Sequence, residues 1–267
     1  MNLRLGLFDS GLGGITVLKK VVERHGDISC IYLGDTARLP YGEKKPEEIR
    51  LIAKEIIEWI SSQDVSAILV ACNTTNSLAI DIVQSFSNVP VLNLINSAAE
   101  MVSETRVGVL ATSATASSCA YTKSINAVSP GTYVIEKACP AFVPMIENGK
   151  SSRESMKKFA IDYLQPLVSA RVEAIILGCS HYPLIQPLLQ ELIPKGIRLI
   201  DPAIGLAHQL DRILGEPSSL FSETSIFSNT KFFVTSDPMR FASKTSPWLG
   251  IRPEVELVSL QPKACFF

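Results

Sequence analysis

The chain has no excess of basic residues: 25 Lys and Arg stand against 26 Asp and Glu, for a formal net charge of −1. That balance removes the electrostatic case for nucleic acid or an anionic membrane surface as a partner. No apolar run approaches bilayer length, and stretches such as Ala67-Ile68-Leu69-Val70-Ala71 are far too short to span one. The opening residues, Met1 to Asp9, lack the long apolar run and small-residue cleavage site of a signal peptide, so a cytoplasmic protein is expected. Histidine is scarce, occurring at His25, His181 and His208 without zinc-ligand spacing, so no metal is expected. The six cysteines, Cys30, Cys72, Cys119, Cys139, Cys179 and Cys265, form no CxxC pair. In a cytoplasmic chain of this size they read as buried or catalytic rather than disulfide-bonded. Gly11-Leu12-Gly13-Gly14 does not fit GxGxxG, and no GxxxxGK[ST] run occurs, which disfavours a nucleotide.

The chain does have apolar residues, 46% of 267 with only 19% charged, enough for one large or two modest domains with a substantial core. Strand-like runs at 3–8, 29–33, 67–71 and 89–94 alternate with helix-like segments at 15–23, 46–61 and 74–86. The pattern restarts with strands at 106–110, 132–136, 174–177 and 198–200, and helices at 152–167, 184–192 and 203–214. Such alternation predicts an α/β fold with mainly parallel sheets. Residues 215–229 read as a Ser-rich loop, and 231–235 as a strand able to extend one sheet.

The restart is also a repetition. Aligning Cys72 with Cys179 lays Val65, Ala67 and Ile68 on Val172, Ala174 and Ile175, and Val107-Gly108-Val109-Leu110 echoes Leu5-Gly6-Leu7-Phe8. Two similar α/β domains, meeting near 94–99, are therefore expected. An active site in the cleft between them would receive one thiol from each side.

Loops after strand carboxyl ends build active sites in parallel sheets, and both cysteines fall there. Either one alone could simply be a small residue ending a core strand. As a pair, each followed by polar donors, they suit a reaction that needs a proton base on each face of a carbon. A helix starting after Cys72 is expected to stabilise a thiolate, and more weakly so for Cys179. Asp9 could orient a thiol or accept from a substrate ammonium, and Gly11, Gly13 and Gly14 let backbone amides approach a ligand. Asp35 and Arg38 read as a salt bridge shaping their loop, while Pro40-Tyr41-Gly42 could offer amides to a carboxylate. Asn73, Thr74, Thr75, Ser180 and His181 supply neutral donors, with helix capping a competing use for Thr74, Thr75 and Ser180. His181 is a natural proton partner for Cys179. Glu147 carries only weak local signal.

Four blocks of residues resemble the glutamate racemases of the cofactor-independent aspartate/glutamate racemase superfamily. They are Phe8-Asp9-Ser10-Gly11-Leu12-Gly13-Gly14, the run from Gly34 to Gly42, Ala71-Cys72-Asn73-Thr74-Thr75, and Leu177-Gly178-Cys179-Ser180-His181-Tyr182-Pro183. Ser180 stands where the family usually has Thr, and Thr75 where Ala is common. The resemblance implies two pseudo-twofold-related domains, 1–95 plus 210–267 and 96–209, with the tail returning to the first. It implies Cys72 and Cys179 as catalytic acid/bases, assisted by Asp9, Glu147 and His181. Substrate would be bound by Asp9-Ser10, Tyr41-Gly42, Asn73-Thr74 and Ser180-His181, with Pro40 and Thr75 beside them. It further implies no cofactor or metal, glutamate as substrate, D-glutamate supplied for peptidoglycan, and a homodimer. Three alternatives stay open on the residues alone: an aspartate racemase, a hydrolase using Cys179 with His181, and a non-catalytic amino-acid binder.

Overall fold

Short, mostly apolar runs make strands, those at the sheet centres buried on both faces, and here they order into two parallel sheets. The computed structural model describes residues 3–149, 151–216 and 227–260. In the first half, β1 (Leu5–Asp9), β2 (Cys30–Gly34), β3 (Ala67–Val70) and β4 (Val91–Asn93) lie in the order β2-β1-β3-β4. In the second, β5 (Arg106–Ala111), β6 (Tyr133–Ala138), β7 (Ala174–Gly178) and β8 (Arg198–Ile200) lie in the order β6-β5-β7-β8. The orders coincide once β1 is matched with β5. Register coincides too: Gly6 pairs with Ile68, and Gly108 with Ile175. The tail adds β9 (Thr230–Val234) beside β2 and β10 (Val255–Leu257) beside β9, both parallel, so the run at 231–235 does extend the first sheet. Most of the expected loop at 215–229, and Cys265, lie outside the described residues.

The helices before the second sheet are α1 (Gly14–His25), α2 (Pro46–Ser61), α3 (Asn73–Leu78), α4 (Ile80–Phe86) and α5 (Leu94–Met101). Those that follow are α6 (Ser113–Ser118), α7 (Ala120–Val128), α8 (Phe142–Asn148), α9 (Arg153–Ser169), α10 (Gln186–Leu192), α11 (Pro202–Gln209), α12 (Asp211–Leu214) and α13 (Pro238–Leu249). Helix α2 shows why the pattern is readable. Ile49, Ile52, Ala53, Ile56, Ile57 and Ile60 are buried at helical spacing, Pro46 occupies the first turn, and Glu47 and Glu48 face the positive end of the helix. Each isoleucine taken from water contributes about 1.5–3 kcal/mol. Among the described residues no helix is long and apolar enough to cross a membrane.

Three expected helices differ, the one at 203–214 being divided at Leu210 into α11 and α12. The single helix at 74–86 is broken at Ala79 (φ −145°) into α3 and α4. Its start is poor in helix formers, and their side chains bond to backbone instead: Asn76 Nδ2 to the carbonyls of Val70 and Cys72, Ser77 Oγ to that of Thr74. The helix expected at 184–192 begins only at Gln186, after a 3₁₀ turn over Tyr182–Ile185. Pro187 is tolerated best in a first turn, which pushes the α-helical start toward it.

The chain crosses between the sheets in α5 and returns in α11. Helix α5 buries Ile95, Ala98 and Ala99 with the second sheet, and α11 buries Ala203, Leu206 and Ala207 with the first. The two helices touch closely at Gly205, where a Cβ would lie 2.9 Å from the Ser97 carbonyl oxygen. Ser97 Oγ donates to the Pro202 carbonyl at 3.1 Å.

Candidate active site

The carboxyl ends of β1, β3, β5 and β7 meet at one cleft, and the residues that follow them line a small cavity of about 30 Å³. Cys72 follows β3 and Cys179 follows β7; both line the cavity and are almost equally buried, at 4% and 5% exposure. Ser10, Pro40, Tyr41, Gly42, Asn73, Thr74, Ser180 and His181 line it as well. The structure thus brings together residues that the sequence placed in four separate blocks. Among the described residues, no three His, Cys, Asp or Glu side chains converge as metal ligands.

The Cys179 side is a hydrogen-bonded relay of side chains. Cys179 Sγ lies 3.8 Å from His181 Nδ1, and His181 Nε2 lies 2.9 Å from Glu147 Oε1. Glu147 is held in turn by Lys244 of α13, whose Nζ donates to Glu147 Oε2 at 3.3 Å and to the Glu147 carbonyl. Burial works against a charged imidazole, but the hydrogen bonds from Cys179 and Glu147 outweigh it and raise His181 well above its ordinary value. Burial also works against the Glu147 carboxylate, yet His181 and then Lys244 hold it below the usual range. The glycine-rich loop serves this relay sterically: a Cβ on Gly13 would collide with His181 Nδ1 and Ser180 Oγ.

The Cys72 side is built differently. Cys72 caps α3 as expected, but that helix has only six residues, and the expected stabilised thiolate is corrected by its surroundings. Burial first, then the Asp9 carboxylate, push the Cys72 thiol up to about 12, against a smaller opposing influence from Thr75. Asp9 makes no hydrogen bond to either thiol. Its Oδ2 accepts from the Gly11 amide at 3.0 Å, and its Oδ1 accepts from Ser180 Oγ at 3.0 Å. Ser180 is therefore not a helix cap. Thr74 Oγ1 sits 3.1 Å from Thr112 Oγ1, bridging the two halves, and the Thr75 hydroxyl is buried without an oxygen or nitrogen partner. Asn73 accepts from Tyr121 through Oδ1, and its Nδ2 is left unpaired.

The expected Asp35–Arg38 salt bridge is present in the loop at 35–42. Asp35 accepts from Arg38 Nε at 2.6 Å, from the Tyr41 hydroxyl and from Thr235 Oγ1 at 2.7 Å. With its hydroxyl thus committed, Tyr41 meets the cavity beside Gly42, where a Cβ would strike Thr112. Four participants were missed in the sequence: Thr112, Tyr121, Cys139 and Lys244. Thr112 could have been found, because it falls at the position of Ser10 once Val107-Gly108-Val109-Leu110 is laid on Leu5-Gly6-Leu7-Phe8. Tyr121 and Lys244 carry no local signal.

Comparisons with known proteins agree with this geometry. A family model described as Asp/Glu/Hydantoin racemase matches residues 13–210. A glutamate racemase from Synechococcus sp. (strain CC9605) is 53% identical over 255 residues, which is 95% of this chain and 96% of that protein. One from Prochlorococcus marinus (strain NATL2A) is 49% identical over 261 residues, 98% of each. The crystal structure of glutamate racemase from Francisella tularensis subsp. tularensis SCHU S4 in complex with D-glutamate has a TM-score of 0.87 at 35% identity, covering 97% of this chain and 98% of that one.

Proposed function

The chain belongs to the Asp/Glu/hydantoin racemase family and is an amino-acid racemase; from that premise we propose that it interconverts L- and D-glutamate by two-base proton transfer, supplying D-glutamate for peptidoglycan. The observation that carries this reading is the pair of buried thiols, Cys72 and Cys179, at matching ends of β3 and β7 and opening on one cavity.

In this mechanism one cysteine removes the α-proton and the other returns a proton to the opposite face. Reversing direction exchanges their roles. Before reaction, Cys72 holds its proton, because burial and Asp9 disfavour its thiolate. Cys179 has His181 to take up its proton, with Glu147 behind it. The resting enzyme therefore offers a proton donor on one side and an acceptor on the other. The α-proton of an amino acid is far less acidic than a thiol, so the carbanion needs a water-poor pocket and donors aimed at the carboxylate. The unpaired Asn73 Nδ2, in the cavity wall, supplies a donor of that kind. The Asp9–Ser180 hydrogen bond ties the two halves together beside the site.

The test is a circular-dichroism assay on each enantiomer of glutamate without added cofactor. Both signals should decay to zero. Turnover of aspartate at comparable kcat/KM, or no turnover of glutamate, would reject the reading.

A further inference from the structure

Asn73 is hydrogen-bonded on one side only. Its side chain is 2% exposed and lines the cavity. Its Oδ1 accepts from the Tyr121 hydroxyl at 2.6 Å, whereas its Nδ2 is buried without a partner. Leaving a buried amide N–H unpaired is costly, so such a group in a cavity wall marks the place of a ligand oxygen.

That one-sidedness is imposed from across the cleft. Tyr121 is the second residue of α7, on the second half of the molecule, just after Cys119, whose left-handed backbone (φ 54°) separates α6 from α7. Its ring is fully buried and passes beside β7. A Cβ on Gly178 would lie 3.1 Å from Tyr121 Cε2 and 2.7 Å from the Leu110 carbonyl oxygen. The matching residue in the first half, before Cys72, is Ala71. The strand that carries Cys179 thus lacks a side chain where the ring passes on its way to Asn73. Burial first, then the charges of Glu136 and Cys179, keep the Tyr121 hydroxyl protonated and able to donate.

We propose that Tyr121 is a positioning residue for substrate: by donating to Asn73 Oδ1 it turns Asn73 Nδ2 into the cavity, where it meets a carboxylate oxygen of glutamate. Turned over, the same amide would present Oδ1 and repel that carboxylate. The inference rests on reading Asn73 as a substrate-binding residue.

Steady-state racemisation of L- and D-glutamate by the parent, Asn73→Ala, Tyr121→Phe and the double variant tests it. Tyr121→Phe should raise KM about five- to tenfold for both enantiomers with kcat within about twofold, and Asn73→Ala should raise KM at least about tenfold. The double variant should be no worse than Asn73→Ala, because Tyr121 acts only through Asn73. Asn73→Asp supplies a second test with Tyr121 intact. It still accepts from Tyr121 but turns an oxygen to the substrate, so its KM should exceed that of Asn73→Ala. Independent, multiplying KM effects of Tyr121→Phe and Asn73→Ala overturn the proposal, as does parental KM in Tyr121→Phe or Asn73→Asp. A parent that racemises no glutamate rejects the functional reading instead, before any variant is compared.

Discussion

The two halves share a scaffold and differ at the point of reaction. Strand order, register and the placement of Cys72 and Cys179 match between them. Beyond each cysteine they diverge: Asn73-Thr74 follows Cys72, whereas Ser180-His181 follows Cys179. Asp9, at the end of β1, is matched by Ala111 at the end of β5. The matching scaffold supplies the two thiols, and the residues around them supply their unequal surroundings. One thiol is held protonated by burial and an anion, and the other is given an imidazole relay.

Removing either thiol is the largest blow to this arrangement. Cys72→Ala and Cys179→Ala should each lower racemisation about 10³-fold or more, since each abolishes proton transfer on one face. Each variant should still exchange the α-proton of a single enantiomer with solvent deuterium, and the two should choose opposite enantiomers. Full racemisation by either variant in deuterated buffer would end the two-base scheme.

Alkylation reads the inequality directly, because burial of the two thiols is nearly the same. Iodoacetamide should modify Cys179 at least about tenfold faster than Cys72 at pH 7.5, resolved by peptide mass. With its pKa pushed up to about 12, Cys72 carries about one thiolate in 10⁴ at pH 8. Its rate should therefore climb about tenfold per pH unit from pH 7 to 9 without a plateau. His181→Asn should slow Cys179 toward the Cys72 rate and leave Cys72 unchanged. Equal rates in the parent would erase the distinction between the halves.

The sequence carried most of the scaffold and the front row of the site, for reasons visible in particular residues. Helix α2 could be bounded from Pro46 and the isoleucine spacing, because a single buried face dictated both. Both cysteines stood out because strand, Cys and polar donors recur. Glu147 did not, because its partners are His181, 34 residues later, and Lys244, 97 residues later. Tyr121 meets Asn73 only through the closure of one half on the other. The break at Ala79 came from side chains competing for backbone carbonyls, which apolar periodicity does not register. The Cys72 thiol departed from expectation because helix amides are local, whereas burial and Asp9 are products of the fold.

The smallest expected difference lies in the shared scaffold. Gly6 of β1 and Gly108 of β5 occupy matching places, each beneath a helix residue that also matches: Ile60 of α2 and Leu167 of α9. A Cβ on Gly6 would lie 2.7 Å from Ile60 Cγ2 and 3.2 Å from Val65 Cγ1. Both are branched at Cβ and stiff. A Cβ on Gly108 would lie 2.9 Å from Leu167 Cδ1, the far end of a side chain with a second torsion to adjust. Gly6→Ala should therefore cost about 2–3 kcal/mol of overpacking, and Gly108→Ala about 1 kcal/mol or less, partly offset by the lower entropy of the unfolded chain. Urea denaturation of the two variants beside the parent measures the gap. Equal losses, or a larger loss at Gly108, would mean that the helices of the two halves are not held in the same way over their central strands.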